Sequence, residues 1–415
     1  MRFFNGLNKL QTASLFPFLF CSAFIVIAEI LLLIGNHISS DSAIVFENFA
    51  ELLYNLLGYV FCYFITLQLT NGKNSFKAFW SVLCLAVFTT AAGAFYGNGT
   101  VYFSGIVIAL LCSFLFNRFD KVLALSSTMI CSILFGILFG FLIDYFDNFV
   151  MWLSERVSGK GYFSPVLFSI FDTVFSLFGI DTFKEMFFYK SYGGSVMYSG
   201  EIITGVKDLF SAGYTGNLVS GYLSGHYFLL FALLGIALSL LSNLKGAQKY
   251  ALIAVTVGAV LSGNISIMLL FLFFESPFLF ISVLFIGALS YLSAFILNLG
   301  VGYIFNGGIA EMILYMDNAV YLLAGGMVFV AIGYFVYKLI YEKHGITDCM
   351  NIYIPARLNT FVKALGGISN IIRYKENALE VRNPKLIDTV LIDCEIKENL
   401  VISDDERFSE LKEYL

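Results

Sequence analysis

Charge is scarce in this sequence. Only 13% of its residues are Asp, Glu, Lys or Arg, about half the share of a soluble domain, so water is not the main solvent for most of the chain. Proline, tryptophan and histidine are scarce too, at five, two and three among 415 residues. So little proline beside 46 Phe and 24 Tyr excludes a disordered chain, and no collagen-like or coiled-coil repeat runs along it. There is no Lys/Arg run long enough to follow a phosphate backbone, and the net charge is −5; nucleic acid is a poor candidate partner. The seven cysteines, at 21, 62, 84, 112, 131, 349 and 394, have no C-x-x-C spacing and no neighbouring His. They read as small buried hydrophobes. No metal site, hydrolytic triad or nucleotide-binding pattern is present, so no catalytic residue, metal or cofactor is expected.

What is present is hydrophobic: 59% of the chain. Apolar stretches near the roughly 20 residues needed to cross a bilayer lie at about 13–35, 52–70, 78–96, 100–116, 122–146, 163–180, 222–243, 250–271, 276–299 and 319–341. The sequence predicts an all-α polytopic membrane protein of about ten transmembrane helices. The N-terminus is basic and then apolar like a signal peptide, but its apolar run continues to Gly35 with no small-residue cleavage site, so it reads as a retained first span. Gly, Ser and Asn interrupt the pattern at 181–220 and 262–275. Broken backbone at membrane depth must face protein or a watery cavity, and in transporters such breaks hold the substrate; re-entrant segments are expected there.

Short loops carry Arg2 and Lys9, Lys73 and Lys77, Arg118 and Lys121, and Lys338 and Lys343, whereas the expected first outer loop, 36–51, has Asp41, Glu47 and Glu51 and no basic residue. The positive-inside rule then puts both termini in the cytoplasm. Composition changes after Pro355: residues 356–415 hold 9 Lys/Arg and 11 Asp/Glu, against 33 charges in the preceding 355. The expected organisation is a membrane domain over 1–345, a linker over 346–358 and a small α+β cytoplasmic tail over 359–415. Its opening, Asn359 to Asn370, places Phe361, Val362 and Leu365 on one helical face before Gly366-Gly367. Strand-like runs follow at Ile371-Ile372, Thr389 to Ile392 and Leu400 to Ile402.

Four stretches carry a family resemblance when taken in order: LNKLQTASLFPFLF (7–20), LFNRFDKV (115–122), GYLSGHYFLLFALLGIALSLL (221–241) and GNISIMLLFLFFESPFLF (263–280). Together they resemble enzyme IIC, the membrane component of the glucose superfamily of bacterial phosphotransferase-system sugar permeases. The first is similar to the family's amphipathic start and proline-bearing first span, and the second to its short basic loop. The third resembles the glycine-rich entry to the seventh span, with Leu234 in place of the usual proline. The fourth is similar to a G-[IV]-T-E-P-x-E-F-x-F-L-F-x-x-P element, in which Gly263 and Pro277 match. FVKALGGISNI (361–371) looks like the start of the enzyme IIB domain, which carries a phosphocysteine. The resemblance implies a sugar permease of the bacterial cytoplasmic membrane, homodimeric, moving sugar or polyol by an elevator-like shift and phosphorylating it.

The departures matter as much. Where the family's T-E-P carboxylate meets sugar hydroxyls this chain has Ile265, Ser266 and Ile267, and the second acidic position is Leu269. The family's His pair, after a G-L step, is replaced by Asp181 and Thr182 after Gly179-Ile180. Its acceptor cysteine falls at Tyr374 to Leu379, around Glu376 and Asn377, and Cys394 comes too late. A carboxylate or amide cannot serve as the thiolate nucleophile. The expectation is therefore a degenerate permease without its own phosphocysteine relay and with a truncated enzyme IIB-like tail. The rivals are a non-transporting sensor or partner subunit on the same fold, and a permease served by separate phosphotransferase components.

The candidate substrate residues are Asn264, Ser266, His226, Asp181 and Glu275. His226, at the broken entry beside Tyr227, reads either as a sugar contact or as a helix-end histidine bonded to a carbonyl. Asn264 and Ser266 keep hydrogen-bonding capacity suited to a neutral ligand, or satisfy broken backbone. Glu275, an acid in an apolar run, is a functional candidate, or lies at the interface. Asp181 and Lys184, with Glu185 beside them, form a lid over the pocket or a solvated loop cluster. Glu29 lies deep enough to need a partner, whereas Asp144 with Asp147 reads as a helix-end pair in water.

Overall fold

A computed structural model of the chain describes residues 2–36, 38, 40–70, 75–93, 102–242, 244, 246–315 and 319–344, and in the C-terminal part 361–362, 364–365, 371–375, 378–381, 384, 387–388, 394–397 and 400–403. The chain forms two compact units, Ala13–Lys338 and the terminal stretches Met1–Thr12 with Leu339–Leu415.

The helices run in order α1 (Arg2–Asn36), α2 (Ser40–Leu69), α3 (Ser75–Gly93), α4 (Tyr102–Arg118), α5 (Lys121–Val157), α6 (Phe163–Leu177) and α7 (Thr182–Tyr189). A hairpin of β1 (Ser195–Tyr198) and β2 (Glu201–Thr204) follows, then α8 (Val206–Ser211), α9 (Asn217–Val219) and a π-helical turn at Ser220–Ser224. The membrane-type helices resume with α10 (Gly225–Leu241), α11 (Gly246–Ser262), α12 (Ser266–Glu275), α13 (Pro277–Leu297), α14 (Ile309–Leu314) and α15 (Ala319–His344). Among the described residues, seven helical segments are long and apolar enough to cross a bilayer, and four shorter apolar helices of 10–17 residues accompany them. This is an all-α polytopic membrane protein with small sheets.

Burial separates centre from periphery. In the most apolar stretch of Asn217–Leu241 83% of residues are buried, against 22% in that of α5. The α10 helix is therefore the middle of this unit, while α5 turns Phe135, Leu138, Phe141 and Leu142 outward, as a lipid-facing helix does. Small residues let backbones approach where helices cross. A Cβ on Gly105 of α4 would strike the Gly58 carbonyl of α2, and one on Gly333 of α15 would strike the Ala232 carbonyl of α10. Local sequence sets the α12–α13 joint: Pro277 has no N–H to continue α12 and drives Ser276 into an extended conformation (φ −161°, ψ 126°), then serves as the first residue of α13. Asn298 ends α13 in the left-handed region (φ 48°), a common helix stop.

Three expectations need correction. The outer loop at 36–51 is mostly helix: α2 begins at Ser40, because acidic residues are accommodated in the first turns of a helix as readily as in a loop. The single span at 250–271 is two helices, broken between Ser262 and Ser266. Asp144 and Asp147 are not at a helix end, since α5, 37 residues long, runs from Lys121 on to Val157. At 1.5 Å per residue it is about 55 Å long, well beyond a hydrocarbon core of about 30 Å.

In the tail, the expected linker 346–358 and the run at Thr389 to Ile392 lie outside the described residues, as do Gly366-Gly367, Glu376 and Asn377. The strands β3 (Ile371–Lys375), β4 (Ala378–Val381), β5 (Glu395–Lys397) and β6 (Leu400–Ile402) form an antiparallel sheet in the order β3-β4-β6-β5. Its core holds Phe361, Val362 and Leu365 with Ile371, Leu379, Val381, Ile387 and Val401. The amphipathic face read at 361–365 is thus its buried face.

Candidate functional site

The break between α11 and α12 is built by three residues. Gly263 has φ +78°, and a Cβ on it would strike the Asn306 carbonyl and the Gly308 nitrogen, so both conformation and space require glycine. The Asn264 N–H donates to Ser262 Oγ at 3.0 Å, and Asn264 Oδ1 accepts from the Ser266 N–H at 3.0 Å. Side chains thus satisfy the amides that open α12, as they must where no water-filled loop is available. The Gly263 carbonyl is taken by His226 Nε2 at 2.9 Å. A carbonyl only accepts, so Nε2 carries the proton and Nδ1 is left as an acceptor.

Against this break lies a second irregular stretch, the loop before α14. The carboxylate of Glu311 holds it: Oε1 accepts from the N–H groups of Ile304 and Phe305, each at 2.9 Å, and Oε2 from those of Asn306 at 3.0 Å and Gly307 at 2.7 Å. Gly307 has φ +80°, with His226 and Tyr303 packed where a side chain would stand. From α8, Lys207 Nζ donates to the Phe305 carbonyl at 2.6 Å, and it lies over the rings of Phe188, Tyr189 and Tyr303. Burial, and after it the Lys184 charge, push the Lys207 amine down to about 7, since the charged form is disfavoured away from water. From the other side, Asn306 Nδ2 donates to Glu29 Oε2 at 2.8 Å and to the Tyr54 hydroxyl at 3.3 Å. Asn306 is thus a partner for one oxygen of Glu29 in α1, while Oε1 has none among the described residues.

The two irregular stretches meet α6, α7 and α10 around one polar cleft, lined by Asp172, Ser176, Asp181, Lys184, His226, Gly263 to Ser266 and Asn306. Four of the five residues singled out in the sequence, Asn264, Ser266, His226 and Asp181, are brought together here. Lys184 joins them with its ammonium over the Phe188 ring at 5.4 Å. Glu275 is 1% exposed at the far end of α12 and is not part of the lining. His226 bonds a carbonyl, as the helix-end reading expects, and also lines the cleft. In this conformation the enclosed space is about 10 Å³, near the minimum that holds one water.

Sequence reasoning missed Asp172, Asn306, Glu311 and Lys207. Asp172 carried a usable signal, an acid within an apolar run. It is 4% exposed, and its Oδ1 has no hydrogen-bond partner among the described residues. No three His, Cys, Asp or Glu side chains come close enough to hold a metal among the described residues.

No family model matches the chain. It is similar to a curated protein of Staphylococcus carnosus (strain TM300), the PTS system glucoside-specific EIICBA component, with 23% identity over 286 residues. The match covers 62% of this chain and 40% of the length of that relative.

Proposed function

We propose that this multi-pass membrane protein is a sugar permease of the phosphotransferase-system enzyme IIC type, acting in the bacterial cytoplasmic membrane with both termini in the cytoplasm. The observation that carries the reading is the polar cleft: the break at Gly263 to Ser266, the stretch that resembles the family's sugar-binding element, lines one cavity with His226 and Asp181. The similarity to a glucoside-specific component supports a sugar or a glycoside as the ligand. Amides, hydroxyls and an imidazole suit a neutral polyhydroxyl compound, whose groups both donate and accept. The lining has one wall on α6 and α7 and another on the α11–α12 break, so a sugar enters when these walls separate, as alternating access requires. Phosphorylation by the chain itself is not part of the reading, because the family's acceptor position falls at Glu376 or Asn377. Separate phosphotransferase components and a second copy of the chain are the proposed partners.

The test is a thermal-shift screen of the detergent-purified protein against sugars, sugar phosphates and polyols. A ligand present at 100 times its Kd stabilises by about 2.7 kcal/mol, and at least one neutral sugar or polyol should raise Tm. If none does, transport is excluded in favour of a sensor or partner subunit on the same fold.

A further inference from the structure

We propose that Asp172 of α6 is the carboxylate that grips the ligand, accepting hydrogen bonds from two neighbouring hydroxyls of an uncharged sugar. The inference rests on the permease reading and adds to it a residue outside the re-entrant element.

A buried carboxylate is costly unless its oxygens are paired. Asp172 is 4% exposed, yet Oδ1 has no partner among the described residues. It stands in the wall of the polar cleft, with Ser176 one helical turn further along the same face and also lining it. Its counterparts elsewhere in the chain are differently placed. Glu311 spends its two oxygens on four backbone amides, and Glu29, whose Oε2 accepts from Asn306 while Oε1 has no partner among the described residues, is not part of the cleft lining. Of the two acids in the lining, Asp172 is the buried one, and its Oδ1 has no partner among the described residues. The opposite wall supplies donors and neutral acceptors, Asn264, Ser266 and Asn306, so a polyol held by Asp172 on one side meets amide and hydroxyl groups on the other.

Charge decides against an anionic ligand. The lining has two carboxylates, Asp172 and Asp181, and one ammonium, Lys184, which already lies over the Phe188 ring. His226 contributes an uncharged ring when its single proton is engaged with the Gly263 carbonyl. A sugar phosphate entering beside an unpaired carboxylate would meet like charge, whereas vicinal hydroxyls offer two donors to two oxygens.

The experiment measures binding of methyl α-glucoside, methyl β-glucoside, N-acetylglucosamine, mannitol and glucose 6-phosphate to the full chain in detergent. The expected result is that a neutral compound binds and glucose 6-phosphate does not, and that Asp172→Asn weakens the neutral compound about tenfold or more. The same variant should melt at a higher temperature than the wild type without ligand, because it removes an unpaired buried acid; a purely structural acid would instead lower it. Asp144→Asn, on the outer surface of α5, serves as the control. On the wild type itself, saturating sugar should protect Asp172 from a hydrophobic carbodiimide, read by mass spectrometry, which keeps the test independent of any variant's folding. Sugar binding without that protection, or a change under threefold in Asp172→Asn, overturns the assignment and leaves the permease reading intact. Binding of glucose 6-phosphate alone overturns the assignment as well. Failure of every compound to bind the wild type overturns both.

Discussion

Asn306 Nδ2 donates to Glu29 Oε2 at 2.8 Å, joining residues 277 positions apart. The bond ties the loop that borders the cleft to the first helix of the chain, so the position of that wall depends on an acid near the N-terminus. Asn306→Ala should leave Glu29 buried without this donor. Loss of a partner from a buried charged group costs on the order of 2–3 kcal/mol, and Tm in detergent should fall accordingly. Glu29→Gln, whose amide oxygen still accepts from Asn306, should fall less. Equal losses in the two variants would mean that the bond does not carry the effect.

Replacing Glu311 by Gln should be more damaging than a one-atom change implies. The amide nitrogen cannot accept, so the N–H groups of either Ile304 and Phe305 or Asn306 and Gly307 lose their acceptor. Two charge-assisted bonds are worth about 3 kcal/mol or more together. The variant should melt lower and bind any demonstrated sugar more weakly, since Asn306 lines the cleft. A variant with wild-type Tm would count against this role.

Glycine at the break can be tested by contrast. Gly263→Ala imposes a left-handed conformation on a side chain and drives its Cβ into backbone atoms of the 306–308 loop, which cannot rotate away. Gly213 has the same kind of conformation (φ +90°), but its nearest neighbour would be the Tyr198 hydroxyl at 3.6 Å. Gly213→Ala should cost about 1–2 kcal/mol, the conformational part alone, and Gly263→Ala well beyond that. Similar Tm losses for both would show that the backbone contact is not tight.

Lys207 predicts a pH dependence. Burial and the Lys184 charge lower its amine from 10.5 to about 7, opposed by Glu311, Glu29 and Asp181. A base whose folded value is lowered binds fewer protons folded than unfolded, so its contribution to stability rises with pH across the window from about 7 to 10.5. It is most unfavourable below 7 and has vanished above 10.5. Moving from pH 6.5 to pH 9 should therefore raise the Tm of the wild type more than that of Lys207→Met. The reverse order would mean that the amine stays charged in the folded protein.

Membrane sidedness is the remaining expectation to measure. The basic short loops predict that reporters fused after Gly35 and after Leu415 lie on opposite sides of the membrane. The same side for both would require a different number of crossings.

Long apolar runs made most helices legible, because a segment that must cross hydrocarbon is read from composition alone. Breaks were legible where polar residues interrupt such a run: Asn264 and Ser266 marked the α11–α12 joint, and His226 the entry to α10. What remained hidden depended on tertiary pairing. Asn306 and Glu311 look like an ordinary post-span loop, and nothing local tells that one carboxylate gathers four amides or that Asn306 meets Glu29. Glu275 drew notice as an acid among phenylalanines, but the turn at Ser276 and Pro277 puts it at the end of α12 away from the cleft. Asp172 carried the same signal as Glu29, and only the cleft gives it meaning.

The four amides of 304–307 converge as a backbone nest does, a concavity suited to an anion, and Glu311 already sits in it. The chain thus carries its own tethered counter-ion at the rim of the cleft. Any phosphorylated compound reaching that spot would compete with an occupant whose effective concentration is set by a few bonds of chain rather than by solution. The four amides are already satisfied by an anion that belongs to the chain itself, and Glu311→Ala would leave them without it.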